Sequence, residues 1–171
     1  MSLTGKSSIA KFGKVSYEQF KKDAQKCGLI DEAEVKAAYD NIKIPTRSTS
    51  GSAGYDFYCP IDVTVPENRH TEPMPTGIRC EIEPGWVLLL VPRSGIGFKF
   101  GAGLVNTVGV IDQDYAYAAN EGHIMLKLRT DDECIIHAGD RVMQGIFVPY
   151  GTAEEMDVTA SRNGGFGSTG V

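Results

Sequence analysis

Hydrophobic and polar positions follow a strand-like pattern over most of the chain after residue 44. Apolar residues at every second position lie on one face of a β-strand, as Ile78, Cys80 and Ile82 do. Residues 86–91 are uninterruptedly apolar and predict a fully buried strand. Many short strands without intervening helices favour an all-β fold: a sandwich, a jelly roll or a barrel. The other predicted strands are residues 61–65, 123–128 and 142–148.

The N-terminal part has a different pattern. Residues 1–15 are small and polar and are predicted to be loose. Residues 16–42 predict a helical hairpin, because capping residues alternate with an apolar face at helical spacing. The residues concerned are Ser16, Gln19, Cys27, Gly28, Asp31, Glu34, Val35, Ala38, Tyr39 and Ile42. We therefore expect a tail and helical-hairpin appendage at 1–43, a β-domain at 44–150 and a C-terminal arm at 151–171.

Composition narrows the function classes. The chain has 171 residues, 42% of them hydrophobic, which is enough for a core, and its 20 glycines favour turns. The net charge of −5, without a Lys/Arg block, argues against a nucleic-acid surface. No apolar run is long enough to span a membrane and no signal peptide is evident, so we expect a cytoplasmic protein. No C-x-x-C pair supports a zinc site, and reduced core thiols are expected at Cys27, Cys59, Cys80 and Cys134.

Two segments are candidates for phosphate binding. Pro92-Arg93-Ser94-Gly95 follows the apolar run and offers a cation, a hydroxyl and an unhindered backbone N–H together. The alternative is a turn with a surface arginine. Residues 139–144, which contain Arg141 and Gln144, enter a strand from a tight turn. There the plainer interpretation is a hairpin with an Asp–Arg turn pair.

Residues 106–115 are the candidate for base reading and catalysis. Asp112 and Asp114 stand two apart at the end of an apolar strand, so we expect them on one strand face. One of them can act as a general base on water. Asn106 can read a base edge through its paired donor and acceptor. The alternative is a polar β-turn, in which Asp and Asn are common.

The Gly-rich tail at 165–170 fits G-x-G-x-x-G only formally. A dinucleotide fingerprint needs a strand before it and a helix after it, and the given chain stops at Val171. A different use remains open, because glycine N–H groups and hydroxyls can wrap phosphates while Phe166 covers a flat base. The alternative is a disordered Gly/Ser tail.

Taken in order, these segments resemble the five motifs of the trimeric dUTPase family. The resemblance runs from about residue 44 to the end of the chain and leaves the helical hairpin outside. It implies a jelly-roll-like β-fold and a homotrimer. In that family each active site is shared by three subunits, one of which lends its C-terminal arm. The matching segments are residues 53–57, 92–101, 106–115, 139–144 and 162–170.

The resemblance also implies the chemistry. Asp112 matches the catalytic aspartate, which activates a water that attacks the α-phosphorus of dUTP, giving dUMP and pyrophosphate. Mg²⁺ assists on the phosphates and is held mainly by them and by water. Asp56 is therefore expected to be an outer-sphere partner of the metal at most. The activity would keep uracil out of DNA and supply dUMP for dTMP synthesis.

Substrate-binding positions follow from the same match. Asn106 matches a residue that faces uracil beside backbone groups near Ile124 and Met125, and Tyr115 matches the ring that packs under the deoxyribose. Arg93 and Arg141 either bind phosphate or brace Asp112 and Asp56. The arm would clamp the outer phosphates and cover the base. The remaining matched positions are Ser94, Gly95, Gly109, Gln144, Arg162, Phe166, Gly167, Ser168 and Thr169.

The chain departs from the family pattern in two motifs. Residues 116–121 come before Gly122 as an insertion, so the hairpin of the third motif must bulge. The fifth motif is shortened between Arg162 and Gly164. The helical hairpin is interpreted as a subgroup feature.

Three alternative functions remain to be compared. A dCTP deaminase shares the fold, but Lys127 stands where that family has its catalytic glutamate. A nucleotide-sensing protein would bind a regulatory partner through the hairpin and the insertion. A purely structural β-domain would carry these motifs without a use.

Overall fold

Strands dominate the part of the chain that the computed structural model describes, residues 8–154. It contains three α-helices, α1 (Tyr17–Lys26), α2 (Glu32–Asp40) and α3 (Ser94–Phe100), and a 3₁₀ helix at Gln113–Tyr117. The strands are β1 (Ala10–Lys14), β2 (Thr46–Arg47), β3 (Tyr55–Tyr58), β4 (Val63–Val65), β5 (Met74–Pro75), β6 (Ile78–Ile82), β7 (Trp86–Pro92), β8 (Gly103–Leu104), β9 (Gly109–Ile111), β10 (Met125–Leu126), β11 (Leu128–Arg129), β12 (Cys134–Ile136) and β13 (Arg141–Pro149).

The strands form one larger sheet and several small ladders, all antiparallel. The larger sheet has the order β2-β3-β13-β7-β9, with the long strand β13 at its centre. Four two-stranded ladders, β1-β6, β10-β5, β11-β8 and β12-β4, complete the described part. The predicted class, an all-β jelly-roll-like fold with a helical hairpin, is confirmed.

The apolar strand β7 is not buried on both faces. Only Leu88 and Leu90 are fully buried, whereas Trp86, Val87 and the other apolar residues of the run are half-buried. The prediction of a fully buried strand is therefore wrong. One face of β7 packs on the core, and the single chain leaves the other face partly uncovered.

The helical hairpin forms where the sequence predicts it. Ser16 Oγ accepts from Gln19 N at 3.2 Å, and Asp31 Oδ1 accepts from Glu34 N at 2.9 Å. Gly28, with φ +89°, follows the C-cap of α1. The capping box is only half correct. The Gln19 side chain turns away to Asp23, and the Ser16 N–H is not satisfied by Gln19.

The prediction that residues 1–15 are loose is wrong for β1. This strand pairs along its full length with β6, from Ala10 opposite Ile82 to Lys14 opposite Ile78. Phe12 packs on the rings of Phe57 and Phe147. Backbone pairing and aromatic burial order a segment whose composition alone suggested a tail. Buried residues of the hairpin belong to the same hydrophobic cluster as the β-strands, while the boundary at residue 43 stays a prediction.

Three of the four cysteines match the expectation of buried thiols. All four are free, and Cys59, Cys80 and Cys134 are buried, but Cys27 at the end of α1 is only partly buried. Burial raises the pKa of Cys59 to about 11 and that of Cys80 to about 12. Within residues 8–154, no helix is long and apolar enough to cross a membrane.

Candidate active site

Three neighbouring strands bring together the residues predicted to bind phosphate. Gln144 on β13 lies opposite Asp56 on β3 and opposite Val91 on β7. Met143 pairs with Pro92, the residue directly before Arg93. Two candidate motifs that are about 50 positions apart in sequence therefore meet at the end of one sheet, as antiparallel pairing requires.

Asp56 is the centre of this cluster and is 5% exposed. Its Oδ1 accepts from Arg93 Nε at 3.0 Å, and its Oδ2 from Arg141 Nη1 at 3.2 Å and Ser48 Oγ at 2.6 Å. Both arginines therefore brace Asp56. Phosphate binding by Arg93 and Arg141 stays a prediction. The predicted Asp140–Arg141 turn pair is not formed, since Asp140 Oδ2 accepts from His137 N at 3.0 Å.

A bulge in β13 explains how Arg141 reaches Asp56. Arg141 lies opposite Tyr58 and Met143 opposite Phe57, so Val142 is an extra residue in β13 at this point. A bulge of this kind bends the strand and redirects the neighbouring side chain. Val142 itself is buried in the core, and Arg141 remains exposed enough to meet a ligand.

Ser94 and Gly95 begin α3 directly after β7. Both are exposed, and Arg93 occupies the N-cap position with an extended backbone. The helix was not predicted, because its Gly-rich sequence has low helical propensity. Gln144 packs over Gly54, where an added Cβ would lie 2.4 Å from Gln144 Oε1. We call Asp56, Arg93, Ser94, Arg141 and Gln144 the phosphate end.

The residues of the third motif lie along β9 and the 3₁₀ helix. Asp112 caps that helix with an extended backbone and is partly buried. Asp114 lies within the helix, so the prediction that both carboxylates share a strand face is wrong. Strand β9 ends at Ile111. The chain turns there, although the prediction extended the alternation of inward and outward side chains past this residue. Asn106 is exposed in the turn before β9, beside Thr107 with φ +66°.

Gly109 has a packing role in β9. An added Cβ would lie 3.1 Å from the Leu90 side chain, so glycine permits a close approach to β7. Gly109 pairs with Leu90, and Ile111 with Leu88. This register aligns the third motif along β7.

The Tyr115 side chain is hydrogen-bonded to the chain two residues before Met125. Tyr115 is 5% exposed, and its hydroxyl donates to the carbonyl of His123 at 2.8 Å. Asn120 Nδ2 donates to the same hydroxyl at 2.8 Å. Met125, partly buried, follows in β10. We call Asp112, Tyr115 and residues 120–125 the sugar end.

The two ends are not adjacent within one chain. Asp112 follows Ile111, which pairs with Leu88 near the start of β7, whereas Arg93 follows the last residue of that strand. Strand geometry of about 3.3 Å per residue places Asp112 roughly 15–20 Å from Arg93 along β7. A single chain therefore does not place Asp112 beside its own phosphate end.

Sequence reasoning missed the polar residues that support the sugar end. Arg79 donates to the carbonyls of Ala116 and Glu121 at 2.8 and 3.0 Å. His123, fully buried, contacts Asp23 of α1 at 2.7 Å. Arg79 sits on the polar face of an alternating stretch and His123 stands alone, so no spacing pattern marks either residue.

Metal binding by protein side chains alone has no support in residues 8–154. No group of three or more His, Cys, Asp and Glu residues is placed there to hold an ion. Both oxygens of Asp56 already accept hydrogen bonds from Arg93, Arg141 or Ser48. The outer-sphere role of Asp56 toward a metal stays a prediction.

Comparison with known proteins decides the family. The dUTPase family model matches residues 40–170. The chain belongs to the dUTPase family. The deoxyuridine 5'-triphosphate nucleotidohydrolase of Lactococcus lactis subsp. lactis is 42% identical over 145 residues, covering 81% of this chain and 96% of the relative.

Solved dUTPase structures share the fold. The dUTPase from Streptococcus mutans is 36% identical with a TM-score of 0.60, covering 68% of this chain and 91% of that one. A dUTPase of Staphylococcus bacteriophage 80alpha is 18% identical with a TM-score of 0.63, covering 92% of this chain and 100% of that one. At that identity the likeness concerns the fold alone.

Membership in the dUTPase family confirms the resemblance found in the sequence and favours it over the dCTP deaminase alternative. Most of the helical hairpin precedes the matched residues. Five predicted arm residues lie outside the described residues, so their positions stay predictions. They are Arg162, Phe166, Gly167, Ser168 and Thr169.

Proposed function

We propose that this dUTPase-family protein hydrolyses dUTP to dUMP and pyrophosphate by water attack on the α-phosphorus. The observation that carries the proposal is the phosphate end. Arg93 and Arg141 bracket one buried carboxylate, which leaves a net positive cluster. Exposed Ser94 and partly exposed Gln144 lie at the same end of the sheet. Such a cluster suits a polyphosphate, because guanidinium groups held in place lose little entropy on binding.

Asp112 is proposed as the general base. Its partly buried carboxylate at the start of the 3₁₀ helix can accept a proton from water and align that water with the phosphorus. The bond from water oxygen to phosphorus forms as the bond to the leaving pyrophosphate breaks. Ser94, Gly95 and Gln144 would hold the phosphate oxygens during this in-line displacement.

We further propose that the active site is shared within a homotrimer. A water held by Asp112 cannot attack a phosphate bound by the same chain if roughly 15–20 Å of strand separates them. A second subunit would bring its Asp112 to this chain's phosphate end. Exposed Val110 on the edge strand β9, at 58%, and the partly uncovered face of β7 are surfaces that subunit association would bury.

The sugar end would select the nucleoside. Tyr115, fixed through its hydroxyl, would pack under the deoxyribose and leave no room for a 2′-hydroxyl. Backbone groups near Met125, together with Asn106 and Gly109, would surround uracil and reject thymine and cytosine. Arg162, Phe166, Gly167 and Ser168 of the arm would close over the base and the outer phosphates.

Mg²⁺ is part of the proposal as an ion carried by the substrate's phosphates. When bound there, it would offset the charge on the pyrophosphate leaving group, with Asp56 at most in contact with its water shell. In the cell, the reaction would keep uracil out of DNA and supply dUMP for dTMP synthesis. We place this activity in the cytoplasm.

The test is pyrophosphate release from dUTP, dTTP, dCTP and UTP, measured with Mg²⁺ and with EDTA. The proposal expects turnover of dUTP well above the other three, stimulated by Mg²⁺. Release of ammonia from dCTP without pyrophosphate would instead establish a deaminase. Tight dUTP binding without any product would remove the catalytic proposal.

A second candidate is a nucleotide-sensing role through a protein partner. Two large apolar side chains are exposed on the segments that depart from the family pattern, Ile30 at 78% and Tyr117 at 77%. Deleting residues 1–43 would disturb the core, since Phe20 and Val35 are fully buried. Ile30→Ser and Tyr117→Ser are therefore the better test: dUTP turnover should persist, while binding of a regulatory partner should be lost.

A further inference from the structure

The two segments outside the family pattern, the helical hairpin and the inserted loop, contact each other. Ser16, the N-cap of α1, donates from its backbone N to Glu121 Oε2 at 2.7 Å and from its hydroxyl to Oε1 at 2.6 Å. These hydrogen bonds lower the pKa of Glu121, the side-chain bond from Ser16 foremost. Glu121 adopts φ +58°, an uncommon conformation for a residue with a side chain. The inserted loop is thus held at the N-terminus of the hairpin.

A second, buried contact lies directly behind the first. His123 is 0% exposed and Asp23 5% exposed, and their Nδ1 and Oδ2 atoms are 2.7 Å apart. Gly77 N donates to His123 Nε2 at 2.9 Å, so that nitrogen is the acceptor and the ring proton sits on Nδ1. His123 therefore donates to Asp23.

Asp23 is fully supplied with donors. Gln19 Nε2 donates to Oδ2 at 2.6 Å, and Lys26 Nζ to Oδ1 at 2.9 Å. Burial would raise the pKa of Asp23, but the hydrogen bonds from His123, Lys26 and Gln19 outweigh it and hold the pKa below its usual range. The carboxylate stays charged inside the fold. A charge kept in a buried site is weak support for stability, since apolar packing serves stability as well or better.

The chain of hydrogen bonds ends on the ring predicted to contact the sugar. The carbonyl of His123 accepts from Tyr115 hydroxyl at 2.8 Å, and that hydroxyl accepts from Asn120 Nδ2 at 2.8 Å. The next residue, Ile124, donates its N–H to the Ile78 carbonyl at 2.9 Å. Both groups bonded to the tyrosine hydroxyl are thus supplied by the segment that His123 anchors.

We infer that Asp23 and His123 are a positioning pair through which the helical hairpin fixes Tyr115 and thereby sets the preference for deoxyribose over ribose. This inference rests on the proposed function, because it assigns Tyr115 to the sugar of dUTP. Neither Asp23 nor His123 is proposed to contact substrate. Their effect reaches the nucleotide through the backbone carbonyl of His123 and the hydroxyl of Tyr115.

The experiment compares kcat/KM for dUTP and UTP in Asp23→Ala and Asp23→Asn. Loss of the acceptor in Asp23→Ala should lower the dUTP/UTP ratio by about tenfold, mainly through a higher kcat/KM for UTP, because a displaced Tyr115 ring no longer excludes the 2′-hydroxyl. Asp23→Asn keeps an oxygen acceptor for His123 and should retain most of the ratio. A purely structural role would lower the melting temperature in both variants and leave the ratio unchanged, which would overturn the inference.

A matched control separates hairpin packing from this pair. Val35→Ala shortens a buried side chain of α2 and leaves the Asp23 and His123 side chains unchanged. It should lower the melting temperature and leave the dUTP/UTP ratio as in the unsubstituted protein. An equal drop of the ratio in Val35→Ala would overturn the specific role of the pair.

A double-mutant cycle with Tyr115→Phe tests the path. Because Phe lacks the hydroxyl, Asp23→Ala should change the ratio little further in the Tyr115→Phe background, whereas additive effects would overturn the path. If Asp23→Ala does not fold, two variants of His123 replace it. His123→Asn keeps a donor near the position of Nδ1, whereas His123→Gln does not. The ratio should fall only with Gln, and equal ratios overturn the inference.

The proposed function fails separately from this inference. If the unsubstituted protein releases no pyrophosphate from dUTP, the proposed function is wrong. If dUTP is hydrolysed and the ratio is insensitive to Asp23→Ala, only the positioning role is wrong.

Discussion

Asp56, near the end of β7, accepts hydrogen bonds from two arginines that come from neighbouring strands. Tyr115, near the start of β7, is held by hydrogen bonds that begin in the helical hairpin. The phosphate end is built from strand register and ion pairs. The sugar end is built from a 3₁₀ helix and an inserted loop that a second element must hold in place. The proposed phosphate contacts thus come from family motifs, while the proposed selection of the sugar also involves segments outside them.

The largest expected effect is a loss of kcat for dUTP when Asp112 of the sugar end is replaced. Asp112→Asn should lower kcat for dUTP by about 10²–10⁴-fold, because an amide cannot take a proton from water. KM and the melting temperature should change little. Asp40→Asn, on the exposed surface of α2 beside Lys36, is the control and should keep full kcat. An active Asp112→Asn variant would remove Asp112 from its proposed role.

Stability should be more sensitive to a glycine substitution at the sugar end than to one in the helical hairpin. Gly122 has φ +71°, and an added Cβ would lie 2.6 Å from Ala116 Cα. Gly122→Ala should lower the free energy of unfolding by roughly 2–4 kcal/mol and reduce discrimination against UTP. Gly28 has φ +89° with open space around it, so Gly28→Ala should lose only roughly 1 kcal/mol. Urea unfolding measures both, and equal losses would contradict the steric argument.

At the phosphate end, Asp56→Asn leaves Arg93 and Arg141 without their shared counter-charge. We expect a loss of roughly 1–3 kcal/mol in unfolding free energy and a higher KM for dUTP. The exposed Asp62, paired with His137, supplies the control, and Asp62→Asn should leave the free energy of unfolding and the KM for dUTP nearly unchanged. An unchanged KM in Asp56→Asn would mean that the arginines bind phosphate without being oriented by Asp56.

The smallest effect is on alkaline stability. Cys59 follows β3 near the phosphate end, and Cys80 lies on β6 opposite Phe12 of β1. Their folded pKa values of about 11 and about 12 lie above the usual 9.0, so the folded state keeps protons that the unfolded chain loses. Their contribution is present below pH 9 and is lost as pH rises toward these values.

Unfolding by urea at pH 8 and pH 10.5 measures this loss, which we expect to be on the order of 1 kcal/mol per thiol. Cys59→Ala and Cys80→Ala should each show a smaller decrease between the two pH values than the unsubstituted protein. An identical decrease in both variants would mean that other groups cause the alkaline destabilisation.

The two ends differed in how far sequence could predict them. Strand register explains why the segments of Asp56, Arg93 and Gln144 meet, because Gln144 pairs with Asp56 on β3 and with Val91 near the end of β7. Their role in binding phosphate stays a prediction. The contact of both arginines with Asp56 was left open, because a bulge in β13 decides where Arg141 points. Bulges leave no periodic signal when the extra residue, here Val142, is apolar and buried.

The sugar end was predicted less well. Asp112 and Tyr115 were named as site residues, but the 3₁₀ helix that separates Asp112 from Asp114 was not foreseen, since alternation was extended past Ile111. The pairing of Asp23 with His123 spans 100 positions and follows no spacing rule. Likewise, β1 was missed because its pairing with β6, not its composition, orders it.

We propose that one active site uses the phosphate end of one chain and Asp112 of another. The decisive measurement mixes subunits of two variants that should each be nearly inactive: Asp112→Asn, and a double variant with Ser94→Ala and Gln144→Ala. Random mixed trimers should recover about a quarter of the unsubstituted activity, because one site in four draws both intact halves from different chains. Activity of the mixture no greater than that of the separate variants, in trimers shown to have exchanged subunits, would contradict the shared site.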